Sequence, residues 1–208
     1  MTELENKQIP LPEKEEGAQK DIEAKEKTAT VEEAKQLFKA AKKRLLNVNL
    51  WDKICGKASA VFKLTDERGN EIDGEPKVGN HFKIDIPAPA SKAGKGFDWV
   101  RVEAIEADEN KSEDREFFLI RVRPSDNPLT DSNDVAHFFS DKSTSNFLIL
   151  REKNVVTAAV LGRNEITNTD ATTSLLDKLR NAVVGTGAVG GLSYPQWKGL
   201  VNGVLGKE

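Results

Sequence analysis

The sequence contains very few of the residues that bind transition metals or act as nucleophiles and bases. Its 208 residues include one cysteine, Cys55, and two histidines, His81 and His137. A structural zinc site takes about four cysteine or histidine ligands, so sites of that kind are effectively excluded. Acid–base catalysis by histidine has only two candidates. We therefore expect no metal, no cofactor and no catalytic residue, and we favour a role other than that of an enzyme.

One stretch retains the ingredients of hydrolytic chemistry. His137 lies between Asp134 and Asp141 and shortly precedes Ser140, so an acid, a histidine and a serine are close in sequence. The glycine-flanked turn that presents the nucleophilic serine of many hydrolases is missing. A hydrolytic pocket therefore remains only an alternative. We interpret Cys55 as a buried structural residue and His81 as an exposed residue on the polar side of a strand.

Long hydrophobic runs and an excess of one charge are missing as well. No apolar stretch approaches the ~20 residues of a membrane-spanning helix, and residues 1–7 lack the apolar segment of a secretory signal. The net charge is −3, from 31 basic and 34 acidic residues, so no general attraction to nucleic acids or anionic membranes is expected. A single cysteine cannot form an internal disulfide. Together these features predict a cytoplasmic protein that does not bind membranes.

The chain divides by composition into two parts. Residues 1–30 are rich in Glu, Lys, Gln and Pro with few large apolar side chains, which predicts a disordered charged tail. Residues 31–208 have the length of one domain and are predicted to form a single α+β domain. At its start, Thr30 and Glu33 have the spacing of a capping box. Apolar residues then recur every three or four positions, which predicts a helix over residues 31–46.

Alternating apolar and polar residues predict about six strands within residues 58–162. The apolar spacing then changes, and two helices are predicted within residues 174–206, joined by the glycine-rich residues 185–191. Strands gathered in one stretch, with helices at both ends, indicate an α+β fold. We expect a twisted antiparallel sheet or a partly closed barrel, with one N-terminal helix and two C-terminal helices.

The clearest pair of strands also predicts a surface. Val102 placed opposite Ile120 puts three apolar pairs on one face. The other face then pairs Trp99 with Arg123 and Arg101 with Arg121. An arginine over an indole ring makes a cation–π contact, whereas opposed arginines repel each other unless an anion lies near them.

These residues, together with an arginine at the end of the last strand, form the predicted binding site for a ligand or partner: Trp99, Arg101, Arg121, Arg123 and Arg163. Forked guanidinium donors suit carboxylates and phosphates. The alternative is that neighbouring acids such as Asp85 or Glu103 neutralise these arginines and leave an ordinary salt-bridged surface.

Three functions are compatible with the sequence. The favoured one is a non-catalytic binding or assembly protein that acts through protein–protein contacts, with a protein partner or a second copy of itself. The second is a domain with a pocket for a small, anionic ligand, or a hydrolytic pocket, between helices and sheet. The third is weak nucleic-acid binding through the Arg/Trp face, which the acidic net charge disfavours.

Overall fold

A computed structural model describes residues 9–55, 60–85, 96–108, 114–131, 134–166 and 194–207. Within these residues the strands are Ala18–Lys27 (β1), Val61–Thr65 (β2), His81–Asp85 (β3), Asp98–Ala107 (β4), Arg115–Pro124 (β5), Thr144–Glu152 (β6) and Val155–Glu165 (β7). The α-helices of the same residues are Val31–Leu46 (α1), Trp51–Ile54 (α2) and Tyr194–Leu205 (α3), and a 3-10 turn covers Val48–Leu50. None of these helices has the length and apolar character to cross a membrane.

The seven strands form one open antiparallel sheet in the order β1-β7-β6-β5-β4-β3-β2. Strands β2 to β7 follow each other as a meander, and β1 joins at the far edge beside β7. The prediction of an α+β fold with a twisted antiparallel sheet is therefore confirmed in outline. The sheet has one strand more than the six expected.

The additional strand is β1, so the prediction of a disordered tail over residues 1–30 is wrong for Ala18–Lys27. This strand pairs with β7 along almost its whole length, and its Ile22 and Ala24 are 3% and 6% exposed. Most of the remaining residues of the strand are charged, and they are half-buried or exposed at the edge of the sheet. Composition alone cannot distinguish such an edge strand from a solvated tail. Residues 1–8 lie outside the described part of the chain.

Helix α1 begins and ends where the sequence predicts. The N–H of Glu33 donates to Oγ1 of the N-cap residue Thr30 over 3.1 Å, and a carboxylate oxygen of Glu33 accepts from the N–H of Ala29. The first contact satisfies one of the N–H groups that a helix leaves without partners at its start. The second holds Ala29, the residue before the N-cap. The predicted last helix is α3, whereas the helix expected near residue 174 and the glycine-rich residues 185–191 lie outside the described residues.

The helices cover one face of the sheet, which we call the helix face. Trp51 of α2 is fully buried there, with its ring centroid 5.0 Å from that of Phe62 and 4.8 Å from that of Phe147. Phe82 also contacts the Trp51 ring, and Trp197 of α3 contacts Phe62 and Phe147. Aromatic side chains bury large apolar areas, so this cluster anchors α2 and α3 to the sheet.

Helix α3 approaches α2 closely through two glycines. A Cβ atom on Gly199 would lie 2.3 Å from the carbonyl oxygen of Cys55, and one on Gly203 would lie 2.0 Å from that of Ile54.

Two lysines near this helix cover the free edge of β1. Lys198 donates to the carbonyl of Glu23, and Lys207 donates to that of Lys25, each over 2.6 Å.

A candidate binding groove on the outer face

The face of the sheet opposite the helices, called the outer face here, carries the predicted site residues, but in a different register. Val102 lies opposite Val122, not Ile120, and a bulge at Glu103 shifts the pairing so that Ile105 faces Ile120. The predicted register of β4 and β5 is therefore wrong. Both strands place an apolar residue at every second position, so a shift of two residues keeps the same face apolar. Alternation fixes the face but not such a shift.

The observed register changes the partner of each predicted pair. Arg101 lies opposite Arg123, and Trp99 lies opposite Lys83 of β3. Trp99 is fully buried, and its backbone N–H donates to the carbonyl of Ala136 in the segment that follows β5. The predicted pairing of Trp99 with Arg123 is therefore wrong, and the indole ring is not a platform at the surface.

Arg123 is held by an acid of the same hairpin. Its guanidinium lies 3.0 Å from both carboxylate oxygens of Glu103 and donates to the carbonyl of Asp141 over 2.7 Å. The bulge brings Glu103 into this position. Arg123 is therefore neutralised by a neighbouring acid, which was the alternative to a binding site in the sequence analysis. Because both side chains are about one-third exposed (35% and 38%), water screens the pair and its contribution to stability is small.

Two further predicted residues hold other parts of the chain. Arg121 donates to the side-chain oxygen of Asn146 over 2.9 Å and to the carbonyl of Pro10. Arg163 is 1% exposed and lies 2.5 Å from a carboxylate oxygen of Asp21. The guanidinium groups of Arg121 and Arg163 therefore do not line an open site together with that of Arg101.

Arg101 is the predicted residue that stays available. Its side chain is exposed, and it has no hydrogen bond or ion pair with any residue that the structure describes. It lines a groove of about 520 Å³ beside Arg123, with Val78, Asp126 and Val135 among the other lining residues. Val78 is 58% exposed. Sequence reasoning missed Val78. A valine in the polar, glycine-containing segment between β2 and β3 could have indicated an exposed apolar contact.

His81 lies opposite Arg101 on β3 and is only 6% exposed, so the prediction of an exposed histidine is wrong. Burial lowers the pKa of His81 below its ordinary value, and the nearby charge of Arg101 acts in the same direction. A neutral His81 therefore adds no positive charge to the groove at neutral pH. Its ring stands edge-on to Trp99, with 6.4 Å between the ring centroids.

The acid beside His137 is Asp98, which sequence reasoning did not select. Nε2 of His137 lies 4.0 Å from a carboxylate oxygen of Asp98, and both side chains are almost fully buried. Burial raises the pKa of Asp98 and lowers that of His137. Nδ1 of His137 accepts from the N–H of Phe139, whereas the Ser140 hydroxyl has no hydrogen-bond partner among the described residues. The arrangement holds a chain segment in place and does not activate that serine.

Within the described ranges, no group of three or more His, Cys, Asp or Glu side chains is arranged to hold a metal ion. Cys55 is only partly buried. Burial nevertheless raises the pKa of its thiol to about 12, and the charge of Asp52 adds to this effect.

Cys55 should therefore react slowly with thiol reagents in the folded protein. With a pKa of about 12, its thiolate fraction at pH 8 is roughly a thousandfold below that of an ordinary cysteine. We expect labelling by a disulfide reagent to be at least about 100-fold slower in buffer than in denaturant. Equal rates in the two conditions would contradict the position of Cys55 between α2 and α3.

No family model and no curated protein matches the sequence. Among solved structures, Ara h 8.0201 is 11% identical with a TM-score of 0.37, and the match covers 90% of this chain and 99% of that chain. Norcoclaurine synthase from Thalictrum flavum is 11% identical with a TM-score of 0.36, covering 85% and 95%. Protein Ms6760 from Mycobacterium smegmatis is 15% identical with a TM-score of 0.37, covering 89% and 87%. Likenesses with such low scores carry no argument about the function of this chain.

Proposed function

We propose that this chain is a non-catalytic binding protein that holds a segment of a protein partner in the outer-face groove. Arg101 would pair with a carboxylate of that partner. The observation that carries the proposal is an exposed guanidinium without an ion-pair partner among the described residues, at the wall of a groove of about 520 Å³. The single cysteine favours a reducing compartment such as the cytoplasm.

The composition of the groove supports a protein partner. Arginine presents a planar fork that matches a carboxylate, and it is enriched in protein interfaces. The exposed side chain of Val78 offers apolar contact beside it. Glu103 already neutralises Arg123, so Asp126 and Asp141 remain as acids that would attract a basic group of the same partner segment. A peptide with mixed charge satisfies this surface better than a simple anion does.

The two other functions have less support. A ligand pocket would need empty space between the helices and the sheet. Aromatic rings fill this space with centroids 4.8–6.1 Å apart, namely those of Trp51, Phe62, Phe147 and Trp197. A nucleic-acid platform would need an exposed aromatic ring for base stacking, and Trp99 is fully buried.

The proposal is tested by selecting ligands from a random peptide library displayed on phage, using the intact chain as bait. We expect the selected peptides to carry an acidic residue. We also expect Arg101→Glu to weaken their binding by about 10- to 100-fold, because a hydrogen bond to a charged group contributes about 1.5–3 kcal/mol. Binding is measured by titration calorimetry.

Arg68→Glu is the matched control, since it makes the same change of charge at an exposed position in the turn between β2 and β3. The affinity of this variant for the peptides should stay within about twofold of that of the unmodified chain, because isolated surface charges have small effects on interaction energies. The proposal fails if no peptide is enriched, or if both variants lose affinity equally.

A further inference from the structure

The outer face carries a second apolar cluster, distinct from the groove, that we call the outer apolar cluster. An antiparallel sheet with helices on one face commonly turns a polar face to water on the other. Here β5, β6 and β7 instead place buried aliphatic side chains on the outer face. The residues of the cluster are Leu119, Leu148, Leu150, Ala159 and Leu161, each 3% exposed or less.

The cover of this cluster is the segment that precedes β1, residues 9–17, called the strap here. Ile9 packs into the cluster and is 7% exposed, and Leu11 and Phe117 pack against it. Pro10 and Pro12 have no N–H to donate to a strand ladder. The strap is accordingly held by side chains of the sheet. Arg121 donates to the carbonyl of Pro10.

The far end of the strap is held by one amide side chain. Asn164 donates from Nδ2 to the carbonyl of Glu13 and accepts the N–H of Glu15 at Oδ1, each over 3.0 Å. The N–H of Leu11 donates to the carbonyl of Ile9, which closes a tight turn at Pro10. A sheet that contacts the apolar side chains of a segment and hydrogen-bonds to its backbone through polar side chains has the elements of a peptide-recognition site.

The strap is also separable from the fold. The pairing of β1 with β7 begins at Ala18, so release of residues 9–17 breaks no hydrogen bond of that ladder. Gly17, with φ of 83°, makes the turn between the strap and β1. Release would, however, expose the outer apolar cluster to water, which is unfavourable.

We propose that the outer apolar cluster is a docking site for a proline-containing aliphatic segment of another protein, and that the strap occupies this site within the chain. The strap defines the chemistry of that partner. It carries branched aliphatic side chains at two positions two residues apart, each followed by proline, and a carbonyl that accepts from Arg121. The inference does not depend on the groove at Arg101.

The test uses the full chain and a labelled peptide with the sequence of residues 9–17. A tethered occupant competes at an effective concentration on the order of millimolar. The double variant Ile9→Asp, Leu11→Asp should therefore bind the peptide about ten-fold or more tightly than the unmodified chain does. A peptide with the same two aspartates is the control and should not bind. Arg101→Glu should leave peptide binding unchanged.

Equal affinity of the folded double variant and the unmodified chain, or no binding to the folded variant, would overturn the proposal. Hydrogen exchange on the unmodified chain provides a test that does not need the variant to fold. The amide of Glu15 should exchange faster than those of Ile22 and Ala24, because the strap opens without β1. Exchange of all three amides at one rate would also overturn the proposal.

Discussion

Alanine in place of Gly203 should lower the free energy of unfolding by about 3 kcal/mol, because overpacking against atoms that cannot move is costly. The added Cβ atom would lie 2.0 Å from the carbonyl oxygen of Ile54 and 2.7 Å from its carbonyl carbon. Both atoms belong to the backbone of α2, so relief requires a shift of a helix. Guanidinium denaturation followed by tryptophan fluorescence measures the effect.

The sign of this effect is informative, because helix propensity alone predicts the opposite. Alanine in a helix interior is favoured over glycine by about 1 kcal/mol. Asn202→Ala, at the adjacent position on α3, is the control and should change stability by less than about 1 kcal/mol. A Gly203→Ala chain that is as stable as the unmodified chain would show that α2 and α3 do not meet at this distance.

Asp21→Ala should have an effect of similar or larger size, about 3–5 kcal/mol, since it removes one partner of a buried ion pair. The guanidinium of Arg163 is 1% exposed and lies 2.5 Å from the Asp21 carboxylate, whose side chain is 16% exposed. Without Asp21, the charge on Arg163 loses the carboxylate that compensates its removal from water. The midpoint and slope of a urea denaturation curve measure the loss.

Glu23→Ala provides the control on the same strand. Its side chain is 39% exposed and pairs with Lys25, so its loss should cost less than about 1 kcal/mol. Adding Arg163→Met to Asp21→Ala should recover part of the loss, because an apolar side chain needs no counter-charge. If Asp21→Ala and Glu23→Ala have equal effects, β1 does not pair with β7 as described.

The elements that the sequence predicts well are those with local signals. Thr30 and Glu33 mark the start of α1 by chemistry that acts within one turn, and the apolar spacing that follows fixes its buried face. Strands β2 to β5 follow from alternation, whereas β6 and β7 are indicated by apolar runs on both sides of a short polar turn. Strand β1 gives a weaker signal, because only Ile22 and Ala24 face the core while its other side chains are mostly charged. Its place in the sheet depends on β7, more than 100 residues away.

The candidate site could be predicted only in part, and the reason is long-range contact. Alternation along β4 and β5 places Arg101, Arg121 and Arg123 on one face of the sheet. Which of them stays available depends on partners that no local pattern reveals. Pro10 engages Arg121, Asp21 engages Arg163, and a bulge turns Glu103 toward Arg123. Arg101 stays available because the described partners engage the other arginines. The residues next to Arg101 in the sequence do not reveal this.

The central claim is that partners bind to the outer face of the sheet and not between the sheet and the helices. Chemical-shift mapping of the intact chain with a peptide selected on it tests this claim most directly. We predict that the perturbed amides cluster at Val78, Arg101 and Arg123. Perturbations that centre on Trp51 and Trp197, with the outer face unchanged, would contradict the claim.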